Sequence, residues 1–270
     1  MGTMSFHGGT ARAYAQYRSG YPAEVIDALE ARFGLSQRDT VLDLGCGTGL
    51  LTIPLAPRSG LVIGMDPEPD MLAAARQAAT RAGAENALWV LGADTDIPAV
   101  RALAGERGLA AVTIGDALHW MRPADLFPAV LPMLRAGGGV AVITNGAAPW
   151  RQDAPWSRTL REGLEEWFGS PVAAGVEDAR HRRYAGLLAA AGLGDVRIDT
   201  LSRQRDSDLG HLIGTVCSSI PDSALPGPED RQALADHLAR TLAPQTRFTE
   251  DVTIVMITAL QISPARRPAG

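Results

Sequence analysis

Short apolar runs alternate along this chain with segments in which apolar residues recur every three or four positions. Val41, Leu42 and Leu44 form the first run, and Leu61 to Met65, Ala87 to Leu91, Leu109 to Gly115 and Val140 to Thr144 follow at regular spacing. The first run suits a central parallel strand covered on both faces, and the runs that follow predict further strands. Between them lie helical patterns. Pro22 to Phe33 sets Val25, Ile26, Leu29 and Phe33 on one face. Met71, Ala75, Ala78 and Ala82 form the inner face of a helix after the second strand, and Pro123 to Leu134 forms another helix. Strand and helix in strict alternation predict an α/β sheet with helices on both faces. Further on, a helix from Tyr184 to Ala191 ends at Gly192 or Gly194. A strand from Val196 to Leu201, helices over Asp208 to Ser219 and Glu229 to Leu242, and a long alternating strand from Phe248 to Ile262 complete the pattern. Pro54 lies inside the helix expected to start near Thr48 or Gly49 and should shorten or bend it.

The first run ends in VLDLGCGTG. Gly45, Gly47 and Gly49 let the backbone take positive φ and let a ligand approach the main chain, with Cys46 and Thr48 between them. The helix expected to follow would turn its free N–H groups toward the same point. The glycine spacing is G-x-G-x-G, not the G-x-G-x-x-G of a dinucleotide turn. Asp43 precedes it, where a pyrophosphate would meet like charge and a cation would be welcome. Asp66 ends the second run, about 20 residues past the glycines, where an acid commonly takes a ribose hydroxyl pair. S-adenosylmethionine, with an amino-acid tail, a sulfonium and a ribose, fits this set.

VLDLGCGTG followed by GMDPEPDML at Gly64 to Leu72 resembles the first two motifs of class I S-adenosylmethionine-dependent methyltransferases. The likeness is closest to the small-molecule branch of ubiquinone-biosynthesis-like and trans-aconitate-like enzymes, methyltransferase type 11. It spans roughly Tyr14 to Asn145. It implies a Rossmann-like, seven-stranded, mostly parallel sheet with an antiparallel last strand, and a cap after strand five. It also implies a lid from Phe6 to Gly20 carrying Tyr14, Tyr17 and Arg18. An aromatic face near a sulfonium gives a cation–π contact, and an arginine can pair a cofactor carboxylate. Met71 and Asp94 are implied beside the adenine, with Asp96 as a rival that could instead cap the next helix. Pro67, Thr95 and Asp116 are placed with them on the cofactor wall. The A-x-H-W pattern at Ala117 to Trp120 resembles the trans-aconitate-like group. The ends of strands one and four flank the switch point where ligands bind in such sheets. His119 is therefore the candidate catalytic residue, and Tyr14, His119, Trp120 and Trp150 are the candidate acceptor contacts. The LRAGGG stretch at Leu134 to Gly139 resembles the third motif, with structural glycines.

Composition narrows the partners. A net charge of −5 over 270 residues argues against an obligate nucleic-acid partner. All 25 basic residues are arginine, which excludes lysine Schiff-base chemistry. Two distant cysteines, Cys46 and Cys217, make no disulfide scaffold, and the five histidines have no metal-ligand spacing. No secretory signal or bilayer-length apolar run appears, so a cytoplasmic monomer or homodimer is expected, with no membrane partner. The expected organisation is a lid and first helix at 1–38, the cofactor-binding half at 39–145, and a cap at 146–176. Sheet and acceptor-site helices follow at 177–262, then a tail at 263–270. Trp150, Trp156, Trp167 and Phe168 hold four of the chain's ten Trp and Phe residues, so the cap is expected to cover an apolar or aromatic acceptor. The basic run Arg180 to Arg183 reads as a solvated helix start or a contact for an anionic acceptor. Abundant Ala, Gly and Arg with this family suggest bacterial secondary metabolism. The expected function is methyl transfer to an oxygen, nitrogen or carbon of a small molecule. The alternative is a cofactor-bound cyclase or a non-catalytic methyltransferase-like protein.

Overall fold

The computed structural model describes residues 16–172, 178–220, 224, 225 and 227–262. Tyr14, most of the expected lid and the 263–270 tail lie outside the described residues. Five parallel strands come first: β1 (Thr40–Leu44), β2 (Leu61–Asp66), β3 (Ala87–Leu91), β4 (Leu109–Gly115) and β5 (Leu134–Asn145). Two long strands, β6 (Gly194–Asp208) and β7 (Arg247–Leu260), complete a seven-stranded sheet of order β3-β2-β1-β4-β5-β7-β6. β7 runs antiparallel to both β5 and β6. The chain leaves β1 toward β2 and β3, then returns to β4 on the other side. The crevice past the carboxyl ends of β1 and β4 is therefore the switch point at which ligands bind.

Helices α1 (Ala23–Phe33), α2 (Thr52–Leu55), α3 (Pro69–Ala82), α4 (Ile97–Ala104), α5 (Pro123–Val130) and α7 (Asp178–Ala190) accompany the sheet. α1 buries Val25, Ile26, Leu29 and Phe33, the face its spacing sets, in a cluster with Val41, Val62 and Ile143. Leu42, Leu44, Val112 and Ile114 pack in a second cluster with Phe127 of α5 and Leu188 of α7. A third cluster stands apart, where α6 (Pro155–Phe168), α8 (Leu209–Ser218) and α9 (Pro228–Leu242) close around Trp156, Leu160, Leu238 and Phe248.

Several expectations need correction. α2 has only four residues and starts at Thr52, because Pro54 breaks the ladder and the chain tightens into a 3₁₀ turn over Ala56–Arg58. The N–H of Ile53 donates to the Gly49 carbonyl at 3.0 Å, so a helical turn still sets out from the glycine turn. α3 buries Met71, Leu72, Ala75 and Ala79, while Ala82 is exposed in its last turn. α5 ends at Val130, a second 3₁₀ turn covers Leu131–Met133, and Leu134 already belongs to β5. Gly137 to Gly139 thus lie within that strand. β6 is 15 residues long, far beyond Leu201, because its polar half pairs with β7 all the way to Asp208↔Arg247. The cap aromatics turn mostly inward. Trp156 is buried against Phe248, and Trp167 and Phe168 pack on the third cluster. Only Trp150 of the four faces the cavity described below.

Candidate active site

The glycine turn is held from beneath. The N–H groups of Gly45 and Cys46 both donate to the Met65 carbonyl at the end of β2, at 2.8 and 3.1 Å. The N–H of Gly47 donates to Asp66 Oδ2 at 2.8 Å. Gly45, Gly47 and Gly49 all adopt positive φ, at 67°, 54° and 84°. A Cβ on Gly45 would lie 2.4 Å from Ala117 Cβ, so the turn sits hard against the loop after β4. The turn has spent these donors internally, which corrects the expectation that they face a ligand. A ligand that brings its own donors suits such a turn, and a pyrophosphate does not.

Asp43 is buried. Its cross-strand neighbour Thr113 donates to Oδ1 at 2.9 Å, and Thr52 at the start of α2 donates to Oδ2 at 2.5 Å. Burial outweighs these bonds and pushes its pKa up to about 6. Asp66 is also buried, and burial raises its pKa although the N–H groups of Glu68 and Gly47 each donate to one oxygen. Each oxygen keeps a lone pair for a hydroxyl donor. Burial, with Asp43 and Asp66 nearby, pushes the Cys46 thiol well above its ordinary value, so it is no nucleophile.

These residues line one end of a cavity of about 1360 Å³. That exceeds an ordinary single-ligand pocket of roughly 300–1,000 Å³ and leaves room for two molecules. The cavity brings together Asp43, Gly45, Cys46, Gly47, Asp66 and Pro67, with Met71, Asp94 and Asp116 beside them. Asp94 accepts from the N–H of Arg122 at 3.0 Å, whereas Asp96 caps its own turn through the N–H of Ala93. Asp116 holds φ 49° at the end of β4, a left-handed value uncommon outside glycine. Both its carboxylate oxygens accept from the N–H of Asn145, at 3.1 and 3.2 Å. Thr48, Gly49 and Thr95 are off the wall. Gly49 serves packing instead, since a Cβ there would meet the Trp89 ring at 2.8 Å.

Tyr17 and Arg18 roof the cavity. The Tyr17 ring lies on Gly214 of α8, Thr215 donates to its carbonyl at 3.2 Å, and Arg18 Nη2 donates to Ser219 Oγ at 2.8 Å. His119 and Trp120 sit in the 3₁₀ turn after β4 with ring centroids 4.5 Å apart, and both are exposed on the cavity wall. Trp120 keeps 54% of its surface, so it packs under no helix. Trp150 lines the same cavity.

Arg151, Arg161, Arg180 and Arg205 line the cavity too, with the acids Asp153, Glu250 and Asp251. Of these arginines, sequence reasoning reached only Arg180, in the basic run, and missed the other three. Arg161 donates to the Trp150 carbonyl at 3.0 Å. His181 is buried on the same wall with Nε2 3.1 Å from Thr144 Oγ1, while Arg182 and Arg183 are exposed. The basic run is therefore half wall and half solvated helix. Glu250 lies in the polar first half of β7 beside Asp251, so no break in the pattern points to it.

Residues 41–138 match the methyltransferase-domain family. An uncharacterized methyltransferase of Mycobacterium tuberculosis is 36% identical over 143 residues, 53% of each chain. The chain thus spans about half the length of these mycobacterial relatives. A trans-aconitate 2-methyltransferase of Rhodococcus jostii is 30% identical over 231 residues, covering 80% of this chain and 82% of the relative. Among solved structures, the YcgJ protein of Bacillus subtilis superposes with a TM-score of 0.57 at 14% identity, over 90% of this chain and all of the other. A precorrin 8w decarboxylase of Methanobacterium thermoautotrophicum reaches 0.51 at 15%, over 90% and 93%. At that identity the structures speak for the fold alone. Among the described residues no helix is long and apolar enough to cross a membrane.

Proposed function

We propose, from the premise that this chain belongs to the class I S-adenosylmethionine-dependent methyltransferases, that it methylates a small molecule bearing at least one negative charge. The observation that supports this reading is the mixed lining of one cavity, which carries the buried acids Asp43 and Asp66 and also the guanidinium groups of Arg151, Arg161 and Arg180. The acidic end fits S-adenosylmethionine by its donor set. Asp66 retains acceptor capacity for ribose hydroxyls, Asp43 adds negative charge for a cation, and the inward-turned amides offer nothing to a phosphate. When bound, the cofactor supplies an electrophilic methyl on a sulfonium. The Rhodococcus relative is named for trans-aconitate, a polycarboxylate, and such an acceptor would meet Arg151, Arg161 or Arg180 with charge-assisted hydrogen bonds.

The chain's own contribution is alignment and exclusion of water. The arginines orient the acceptor, and Tyr17 and Arg18 close the roof. A carboxylate is already ionised near pH 7 and needs no base. An acceptor that carries a proton must lose it, and His119 stands exposed on the wall to take it. His119→Ala should therefore lower turnover about 10²–10⁴-fold on a hydroxyl acceptor. It should leave a carboxylate acceptor nearly unaffected and cofactor binding intact. A second acceptor class, apolar or aromatic, is favoured only by the His119–Trp120 pair and Trp150.

A labelled-methyl transfer assay across carboxylates, phenols and amines tests this reading. Transfer confined to anionic acceptors supports it. Transfer confined to neutral ones overturns the charge argument, and cofactor binding with no transfer to any acceptor favours a non-catalytic protein.

A further inference from the structure

The roof over the cavity is not held by apolar contact alone. Ser19 accepts at both its oxygens from two strands of the sheet. Asn145 Nδ2 at the end of β5 donates to its carbonyl at 3.2 Å, and Arg205 Nη1 of β6 donates to its hydroxyl. Arg205 is fixed in turn by Glu250 of β7, which accepts from Nη2 at 2.9 Å and from the Ser207 hydroxyl. Asn145 also gives its backbone N–H to Asp116. Asp116, Asn145, Ser19, Arg205 and Glu250 all face the cavity. One continuous polar chain therefore runs from the end of β4, over the roof segment, to the far pair of strands.

We propose that Arg205 is a positioning residue that latches the segment Tyr17–Ser19 over the cofactor end of the cavity. Glu250 and the Ser19 hydroxyl are the two sides of that latch. This assignment rests on the methyltransferase reading for the identity of the ligand, but the latch itself is a property of the chain. Arginine suits the post because its planar fork reaches two acceptors at once, which a lysine ammonium would have to do as a point charge. Glu250 is 2% exposed and buried beside the guanidinium, so the fork is oriented before the segment docks on it. The segment is anchored a second time on α8, where the Tyr17 ring fills the space over Gly214, itself off the cavity wall. Because both anchors come from β6 and α8, the C-terminal part of the chain would govern how long a ligand stays under the segment.

The test uses the full chain with S-adenosylhomocysteine as probe. Dissociation is followed by tryptophan fluorescence in stopped flow, and limited proteolysis before Gly20 reports docking. Ser19→Ala and Arg205→Ala should each speed dissociation at least 10-fold and expose the segment to cleavage. In the double variant the effect of Ser19→Ala should vanish, because the two residues form one contact. Gly214→Ala provides an independent arm. Alanine favours a helix interior over glycine, so α8 should keep its fold, while the new Cβ would sit 2.4 Å from the Tyr17 ring and displace it. Faster dissociation in that variant supports the proposal. Dissociation and cleavage unchanged in folded Arg205→Ala, or strict additivity with Ser19→Ala, overturns it. If the wild-type chain does not bind the probe, the methyltransferase reading fails, and cleavage alone then decides the latch.

Discussion

Asp43 ties the interior of the sheet to solution pH. Its ordinary pKa is 3.8 and burial raises it to about 6. Between those values the native chain holds a proton that the unfolded chain has released. Stability is therefore greatest below the lower value, falls as pH rises through the window, and reaches its floor above about 6. The whole effect is on the order of 3 kcal/mol. Asp43→Asn should flatten the stability profile between about pH 4 and 6 in urea denaturation, and parallel profiles would count against the assignment. The same proton affects binding. A cationic ligand beside an ionised Asp43 should bind more weakly at about pH 5 than at about pH 8. The glycines divide in a similarly testable way. Gly45→Ala and Gly49→Ala both force alanine into positive φ and into contacts under 3 Å, so each should cost about 2 kcal/mol or more. Only Gly45 borders the cavity, so only its variant should also weaken ligand binding by the folded protein.

At the level of elements, two of the three cap tryptophans separate packing from recognition. Trp156 is buried against Phe248 and donates its indole N–H to the Thr249 carbonyl at 3.3 Å, so Trp156→Ala should cost about 3–5 kcal/mol. Trp150→Ala should change stability much less while raising the KM for the acceptor. Equal destabilisation would return Trp150 to the core. These two residues also show where the sequence could be read and where it could not. β4 matches its apolar run end for end, because a strand buried on both faces has no choice of residue type, and β3 matches its run too although it is an edge strand with Leu88 and Leu91 exposed. The face of α1 and the glycine turn were equally legible. β6 was not, because its outer half is polar and exposed, and it is a strand only through its partner β7. The inward turn of Trp156, Trp167 and Phe168 depends on α8 and α9, which lie far along the chain, and local spacing carries no trace of them.

On the scale of the molecule, the site is assembled from both ends of the sequence, which is why Arg151, Arg161 and Arg205 escaped a motif-based reading. The motifs lie between Val41 and Trp120 and describe a cofactor cradle, whereas Arg205 and Glu250 arrive with strands added after the parallel sheet is complete. A cavity so built should report on its ligand through global stability. A ligand that binds only the native state at 100 times its Kd adds about 2.7 kcal/mol. For a chain of this size that corresponds to a rise in Tm of about 5–10 °C. S-adenosylmethionine and S-adenosylhomocysteine should each produce such a rise. A nicotinamide dinucleotide at the same concentration should produce none, since its pyrophosphate would lie between two buried acids and amides already bonded to Met65 and Asp66. A rise with the dinucleotide and none with the sulfonium would mean that the acidic end of the cavity was built for different chemistry. The latch, the arginine wall and the role of His119 would then all need another ligand to explain them.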